Sequence, residues 1–257
     1  MKKLNQAGFH AVEVVIVFLV VGVIGFVGWQ VFKTKGEPSN QTQAGQQNES
    51  KDETEADVEL QNFGLESLDD VDVTSQALRD FQSQGLKGFY VFGDKLSGGR
   101  TNPNFEFASL KAGTKVVAAI DGVVGFVKQQ SETGDYEVFL QPKENSVWTI
   151  GYDHLINVKV KQGDAVKAGD KIGEPAMQNN GFTRFEIQIN KDENGSTTHY
   201  CPSTLVAASV KDKLLADLAA MQQNWESTSG LELYDTAAQS PVGCIMKTLT
   251  PAQAEGR

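Results

Sequence analysis

Taken as a pattern of apolar and polar positions, the chain divides into four stretches. Val14 to Phe32 carries no charge and is built almost entirely from Val, Ile, Phe, Leu and Gly. Residues 36–57 are Gln, Asn, Ser, Glu, Asp and Thr with almost no apolar position. From Val58 apolar residues return at Leu60, Phe63, Leu65, Leu68, Val71 and Leu78, and Thr74–Phe81 is predicted as a helix capped by Thr74 or Ser75. Gly88–Gly93 reads as a first strand. Strand signals then crowd together at Val116–Ile120, Val123–Lys128, Tyr136–Gln141, Val147–Tyr152, Val158–Lys161, Lys171–Ile172 and Phe182–Ile189, each bounded by Gly, Asp, Asn or Pro. After Pro202 the period changes: Val206, Val210, Leu214, Leu218, Met221 and Trp225 fall three and four apart, predicting an amphipathic helix of about five turns capped by Ser203 or Thr204. Short strands at this spacing predict a mostly β fold, a compact sandwich or barrel-sandwich hybrid, rather than βαβ units.

The first stretch is long enough to matter. About 19 residues make a helix of roughly 28 Å, close to the roughly 30 Å apolar core of a bilayer. Trp29, Lys33 and Lys35 follow as interfacial anchor and charged stop. Residues 1–35 therefore read as a single membrane span and 36–57 as a disordered acidic, Gln-rich tether that cannot bury enough surface to order itself. Residues 58–200 form the β-rich domain, and 201–257 a C-terminal helix and tail. Lys2 and Lys3 on one flank balance Lys33 and Lys35 on the other, so charge alone leaves the orientation open.

Composition narrows the function. Acidic residues outnumber basic ones 33 to 23, for a net charge of -10. Phosphate backbones are held by clustered Lys and Arg, so no nucleic-acid partner is expected. The two cysteines, Cys201 and Cys244, suit one bridge if the domain lies outside the cytoplasm. Such a bridge would tie down the irregular tail by closing a loop worth on the order of 3–4 kcal/mol.

Two motifs carry resemblances. Gly8-Phe9-His10-Ala11-Val12-Glu13 resembles the processing site of type IV prepilins: a basic leader, Gly then Phe at the cut, and Glu five residues on. That resemblance implies insertion with the N-terminus inside and the rest outside; the alternative is an uncleaved anchor whose Glu13 sits near the interface. Gly36 and Pro38 stop the helix early, unlike a pilin.

The second set is longer. Gly113-Thr114-Lys115-Val116 through Gly122-Val123-Val124, then Tyr152-Asp153-His154-Leu155, then Val160 through Gly163, Val166, Gly169, Ile172 and Gly173 occur in order. Each Gly or Gly-Asp supplies a tight turn between short strands. The set closely resembles the lysostaphin/LytM-type zinc metallopeptidases, which cut peptide cross-links of bacterial walls. Lipoyl and biotinyl carriers share one of the turns, but no modifiable lysine stands where a carrier needs it. The resemblance implies zinc held by the His and Asp of "H-x-x-x-D" and the second His of "H-x-H", with one position left to water. Here those positions fall on Asn102, Glu106 and Arg184, with Phe182 in place of a catalytic His, and His154 is the remnant of the catalytic pair. An amide is a poor zinc ligand and a guanidinium repels the metal. Glu106 and Arg184 are expected to form an ion pair in the metal's place. A different ligand set, Glu106, His154 and His199, is the remaining route to a metal. Phe105, Tyr152 and Phe182 are either groove residues that grip a ligand or core.

The function expected is that of a membrane-anchored extracytoplasmic envelope protein, its LytM-like domain without zinc or activity, binding wall peptide, glycan or a partner hydrolase. The alternatives are an active zinc endopeptidase and a pilin-like subunit. Pilin-type processing removes residues 1–8 and leaves Phe9 first. Mass spectrometry of the native N-terminus reads this directly, and an intact leader selects the uncleaved anchor.

Overall fold

Short β-branched runs separated by turn residues fold as antiparallel strands in the computed structural model, which describes residues 58–74, 87–178 and 181–257. The membrane span, the tether, the Gly8–Glu13 motif and most of the Thr74–Phe81 helix lie outside these residues. Among the described residues no helix is long and apolar enough to cross a membrane. The strands are β1 (Phe89–Tyr90), β2 (Phe105–Ala108), β3 (Val116–Val117), β4 (Gly122–Gln129), β5 (Tyr136–Gln141), β6 (Trp148–Ile156), β7 (Ala165–Val166), β8 (Lys171–Met177), β9 (Thr183–Glu193), β10 (Ser196–Tyr200) and β11 (Thr248–Leu249). Hydrogen bonding joins all eleven into one antiparallel sheet, the mostly β fold expected from the sequence. Its main path runs β1-β2-β9-β8-β6-β5-β4-β7, with β3 on β8, and β10 and β11 beyond β9. β9 also pairs with β6 over Trp148–Asp153, which makes these two strands the spine of the fold.

Alternation places one side of that spine in the core. Phe105, Phe107, Ile150, Tyr152, Phe185, Ile187 and Ile189 are fully buried, and the Phe63, Phe89 and Phe105 rings meet edge to face. Tyr152 spans the interior, its hydroxyl accepting the Ala119 N–H at 2.7 Å. Phe105, Tyr152 and Phe182 are therefore core side chains, not groove residues.

Several boundaries differ from the periodicity. Val158–Lys161 is not a strand: Lys159 N–H donates to Ile172 O at 2.7 Å, and the chain then turns at once through Lys161 and Asp164. The C-terminal helix, α1, spans Lys211–Ser229 and has Val210 as N-cap, not Ser203 or Thr204. The cause is competition for the backbone. Leu60 N–H donates to Leu205 O at 2.8 Å and Ala207 N–H to Leu60 O at 2.9 Å, so Val206 is held extended beside the 58–65 strap. Pro202–Leu205 makes only a short 3-10 turn. α1 buries Leu218, Met221 and Trp225 and ends at Gly230 in the left-handed region.

Cys201 and Cys244 are joined by a disulfide across a sequence separation of 43. It fixes the tail beside β10, where Cys201 N–H donates to Lys247 O and Phe92 bridges Cys244. A short terminal helix, α2 (Pro251–Ala254), starts on a Thr250/Gln253 capping box.

One glycine tests the strand packing. A Cβ at Gly122 would stand 2.3 Å from the Gln141 carbonyl oxygen. Gly122→Ala must push β4 off β5, and overpacking of this kind costs about 1–3 kcal/mol. A lower urea midpoint with an unchanged m-value is the expected reading.

Candidate functional site

The face of the spine opposite the core is acidic by register. Glu106 on β2 is paired with Glu186 on β9, and Glu186 with Asp153 on β6. Neighbouring strands stand about 4.8 Å apart, so three carboxylates lie abreast. At an effective dielectric of about 20 each adjacent charged pair would repel by a few kcal/mol. The row is tolerable only with cations inside it.

Two residues supply them. Arg184 precedes Glu186 on the same face of β9, and its Nη2 donates to Glu186 Oε1. Its Nε lies 3.0 Å from Glu106 Oε1, but the N–H is not aligned for a hydrogen bond, so that contact is ionic. The second cation arrives through a bulge. Tyr136 pairs with Leu155 and Val138 with Tyr152, leaving Asp153 and His154 opposite Glu137 alone. The extra residue turns His154, which strict alternation would send into the core, onto the carboxylate face. His154 adopts a φ of 60°, a left-handed backbone that costs on the order of 1–2 kcal/mol for a non-glycine residue.

The strain is held by bonds on every side. His154 Nδ1 lies 2.8 Å from Asp135 Oδ2, while Nε2 faces Glu186 Oε1 at 3.6 Å and Asp153 Oδ2 at 3.9 Å. Asp153 Oδ1 accepts from the His154 backbone N–H and from Gln130 Nε2, both at 2.6 Å. Asp135 also accepts from Thr133, and Asn104 Nδ2 donates to Glu186 Oε2. The β4–β5 hairpin is thus fastened to the site by Gln130 and Asp135.

Protonation follows this arrangement. Burial disfavours a charged His154, but Asp135, Glu186 and Asp153 outweigh it and push the imidazole up to about 10. Burial opposes ionisation of Glu186 too, yet Arg184 and His154 hold it down at about 2. Glu106 and Asp153 are each pushed up to about 7, first by burial and then by the negative Glu186. Arg184 is held above its ordinary value because its three carboxylate neighbours overcome burial.

Of the residues singled out in the sequence, the structure brings Glu106, His154 and Arg184 together and leaves Asn102, Phe182 and His199 apart. Asn102 is buried with Nδ2 turned to the carbonyls of Tyr90, Val91 and Asn104. Phe182 is in the core. His199 lies on β10, bonded through Nδ1 to Gln188 and Asn190, with burial lowering its pKa to about 4. It is not in the Asp153, His154 and Glu186 group, whose ligand atoms lie within 4.8 Å of one another. Sequence reasoning passed over Asp135, Asp153 and Glu186. Asp153 stands inside the Tyr152–Leu155 phrase and Glu186 two residues after Arg184; nothing marked Asp135.

The zinc of the resembled family does not fit its usual place here. Arg184, where the resemblance implies a zinc-binding His, gives its guanidinium to Glu186 and lies against Glu106. A divalent ion there would be pressed against a permanent positive charge.

Residues 106–201 match the model of Peptidase family M23. No curated protein matches the chain. Among solved structures, the catalytic domain of the antimicrobial peptidase lysostaphin from Staphylococcus simulans is 24% identical with a TM-score of 0.34, over 42% of this chain and 80% of that one. A catalytic-domain variant of the prophage-encoded M23 protein EnpA from Enterococcus faecalis is 22% identical with a TM-score of 0.36, over 46% and 91%. A chain of the SpoIIQ-SpoIIIAH pore forming complex is 17% identical with a TM-score of 0.38, over 62% and 98%.

The charge cluster sets a pH dependence. Stability from the depressed Glu186 is present above its ordinary value of 4.5 and lost as pH falls toward 2. Stability from the raised Glu106 and Asp153 is present below about 4 and lost as pH rises through 7. That from His154 is present below 6.5 and lost as pH rises to about 10. Urea midpoints across this range should therefore peak near pH 4–5. His154→Gln should flatten the limb between pH 6.5 and 10, an effect on the order of a few kcal/mol.

Proposed function

We propose that this chain is a membrane-anchored, extracytoplasmic envelope protein whose M23-like domain binds wall peptide, glycan or a partner hydrolase and does not cleave. The observation that carries this reading is Arg184, a fixed cation between Glu106 and Glu186 at the position where the resemblance calls for a zinc ligand. Asn102, at another such position, has its amide committed to backbone carbonyls. The disulfide supports an oxidising compartment, and the Val14–Phe32 segment supports an anchor.

A binding surface lies one register step from the charge cluster. Gln188, Gly151, Phe139 and Phe126 are paired in sequence across β9, β6, β5 and β4. Gly151 leaves a gap over which a Cβ would meet the Phe139 ring at 3.2 Å. Phe126 is 37% exposed, its ring 6.1 Å from that of Phe139. A glycine floor flanked by aromatic rings suits a sugar face or an extended peptide.

The competing reading, an active zinc endopeptidase, has the grouping of Asp153, His154 and Glu186 in its favour. The two are separated by metal content, cleavage and sedimentation with purified peptidoglycan sacculi. The full-length chain should carry no stoichiometric zinc and release no peptide, yet pellet with sacculi, and Phe126→Ala should weaken that binding several-fold. Stoichiometric zinc together with cleavage of cross-links would establish the enzyme instead.

A further inference from the structure

Three donor atoms converge on the carboxylate face without standing at the ligand positions of the resembled family. His154 Nε2 is 3.6 Å from Glu186 Oε1 and 3.9 Å from Asp153 Oδ2. Ligand atoms around a tetrahedral zinc with bonds of about 2.0–2.2 Å stand roughly 3.3–3.6 Å apart. The two spacings to His154 are close to this, and all three ligand atoms lie within 4.8 Å of one another. Asp135 holds Nδ1, so Nε2 is the ring nitrogen left to face a metal once the ion displaces its proton, the carboxylate–imidazole arrangement that orients metal-binding histidines. Beside the same carboxylate, the buried Asn104 donates Nδ2 to Glu186 and leaves its own Oδ1 without a partner. That is a neutral oxygen donor in a place where few such atoms stay unmet.

What closes this site is Arg184. Its Nη2 binds Glu186 Oε1, the very oxygen that faces His154 Nε2. The Arg184 side chain is 35% exposed, whereas those of Glu186 and His154 are 12% and 11%. Arg184 Nε is buried, and with Nη2 on Glu186 Oε1 the guanidinium occupies one of the three donor atoms. We infer that Asp153, His154 and Glu186 form a divalent-cation site, of a chemistry suited to zinc, which Arg184 keeps closed in the native chain. The inference rests on the reading above that the native chain excludes metal. It adds that exclusion depends on this one side chain and not on a lack of donors. Removing the guanidinium also frees Glu106, in register with Glu186, as a further oxygen donor.

The experiment is zinc binding by the full-length chain in detergent, read by equilibrium dialysis and by thermal unfolding. The wild type should bind no stoichiometric zinc and show no shift in Tm. Arg184→Ala should be less stable without metal and bind one equivalent. Its Tm should rise by about 5–10 °C with free zinc at about 100 times Kd. The double variant R184A/H154Q should lose both responses, which places the ion at His154. Should R184A fail to fold, refolding it with zinc present, and testing Arg184→Met alongside, keeps the question decidable: rescue by zinc supports the site. If folded R184A and R184M take up no zinc, or neither variant folds even with zinc present, the site does not exist, and the non-catalytic reading of the wild type stands. Zinc bound stoichiometrically by the wild type overturns the closure by Arg184 and, if accompanied by cleavage, the proposed function as well.

Discussion

The register of β2, β9 and β6 sets three carboxylates side by side on a mostly buried sheet face, and much of the rest of the site answers that constraint. Like charges opposite one another on adjacent strands weaken a sheet, yet here they lie along the spine that carries the core on its other side. Arg184 and a protonated His154 resolve the conflict from within the chain. The bulge in β6 exists in the same frame: without it His154 would point inward and the row would lack its second cation. Site and fold are thus one electrostatic problem, solved by backbone geometry.

The solution uses arginine where a metal ion would serve equally well as a charge. The two differ in what they leave behind. An ion holds an open coordination position for water; a guanidinium has five donors and no vacancy. It can bind its carboxylates together, but it has nothing to activate. On the proposed reading, the chemistry left to such a face is recognition through the neighbouring strip of Gly151, Phe139 and Phe126.

Much of this was legible in the sequence, for reasons that differ by residue. Turn glycines and valine alternation located β4, β5, β6 and β9 because those signals are local. Phe105–Ala108 escaped notice because four residues make too short a run to show a period. The start of α1 was misplaced because apolar spacing at Val206 and Val210 continues a helical stripe, while Leu60, nearly 150 residues earlier, claims the backbone there. Glu106 and Arg184 were placed together by motif position, but their neighbours depend on cross-strand register, which no single segment reveals. Asp135 reaches His154 from a hairpin, and nothing in its local sequence distinguishes it from any other turn aspartate.

Asn102 carries a consequence of a different kind. Its amide serves three backbone carbonyls in a buried corner between β1 and β2, and it is 1% exposed. A histidine there cannot reproduce a terminal NH2, so at least one of those carbonyls would be left unmet, at roughly 1–3 kcal/mol for a buried acceptor. On the proposed reading, the lost catalytic state is behind a ratchet. Restoring a ligand at 102 first destabilises the scaffold that must hold it, and it gives no activity until position 184 changes as well. The path back to hydrolysis thus runs through a less stable protein, whereas drift among ligand-binding surfaces on the same face meets no such barrier.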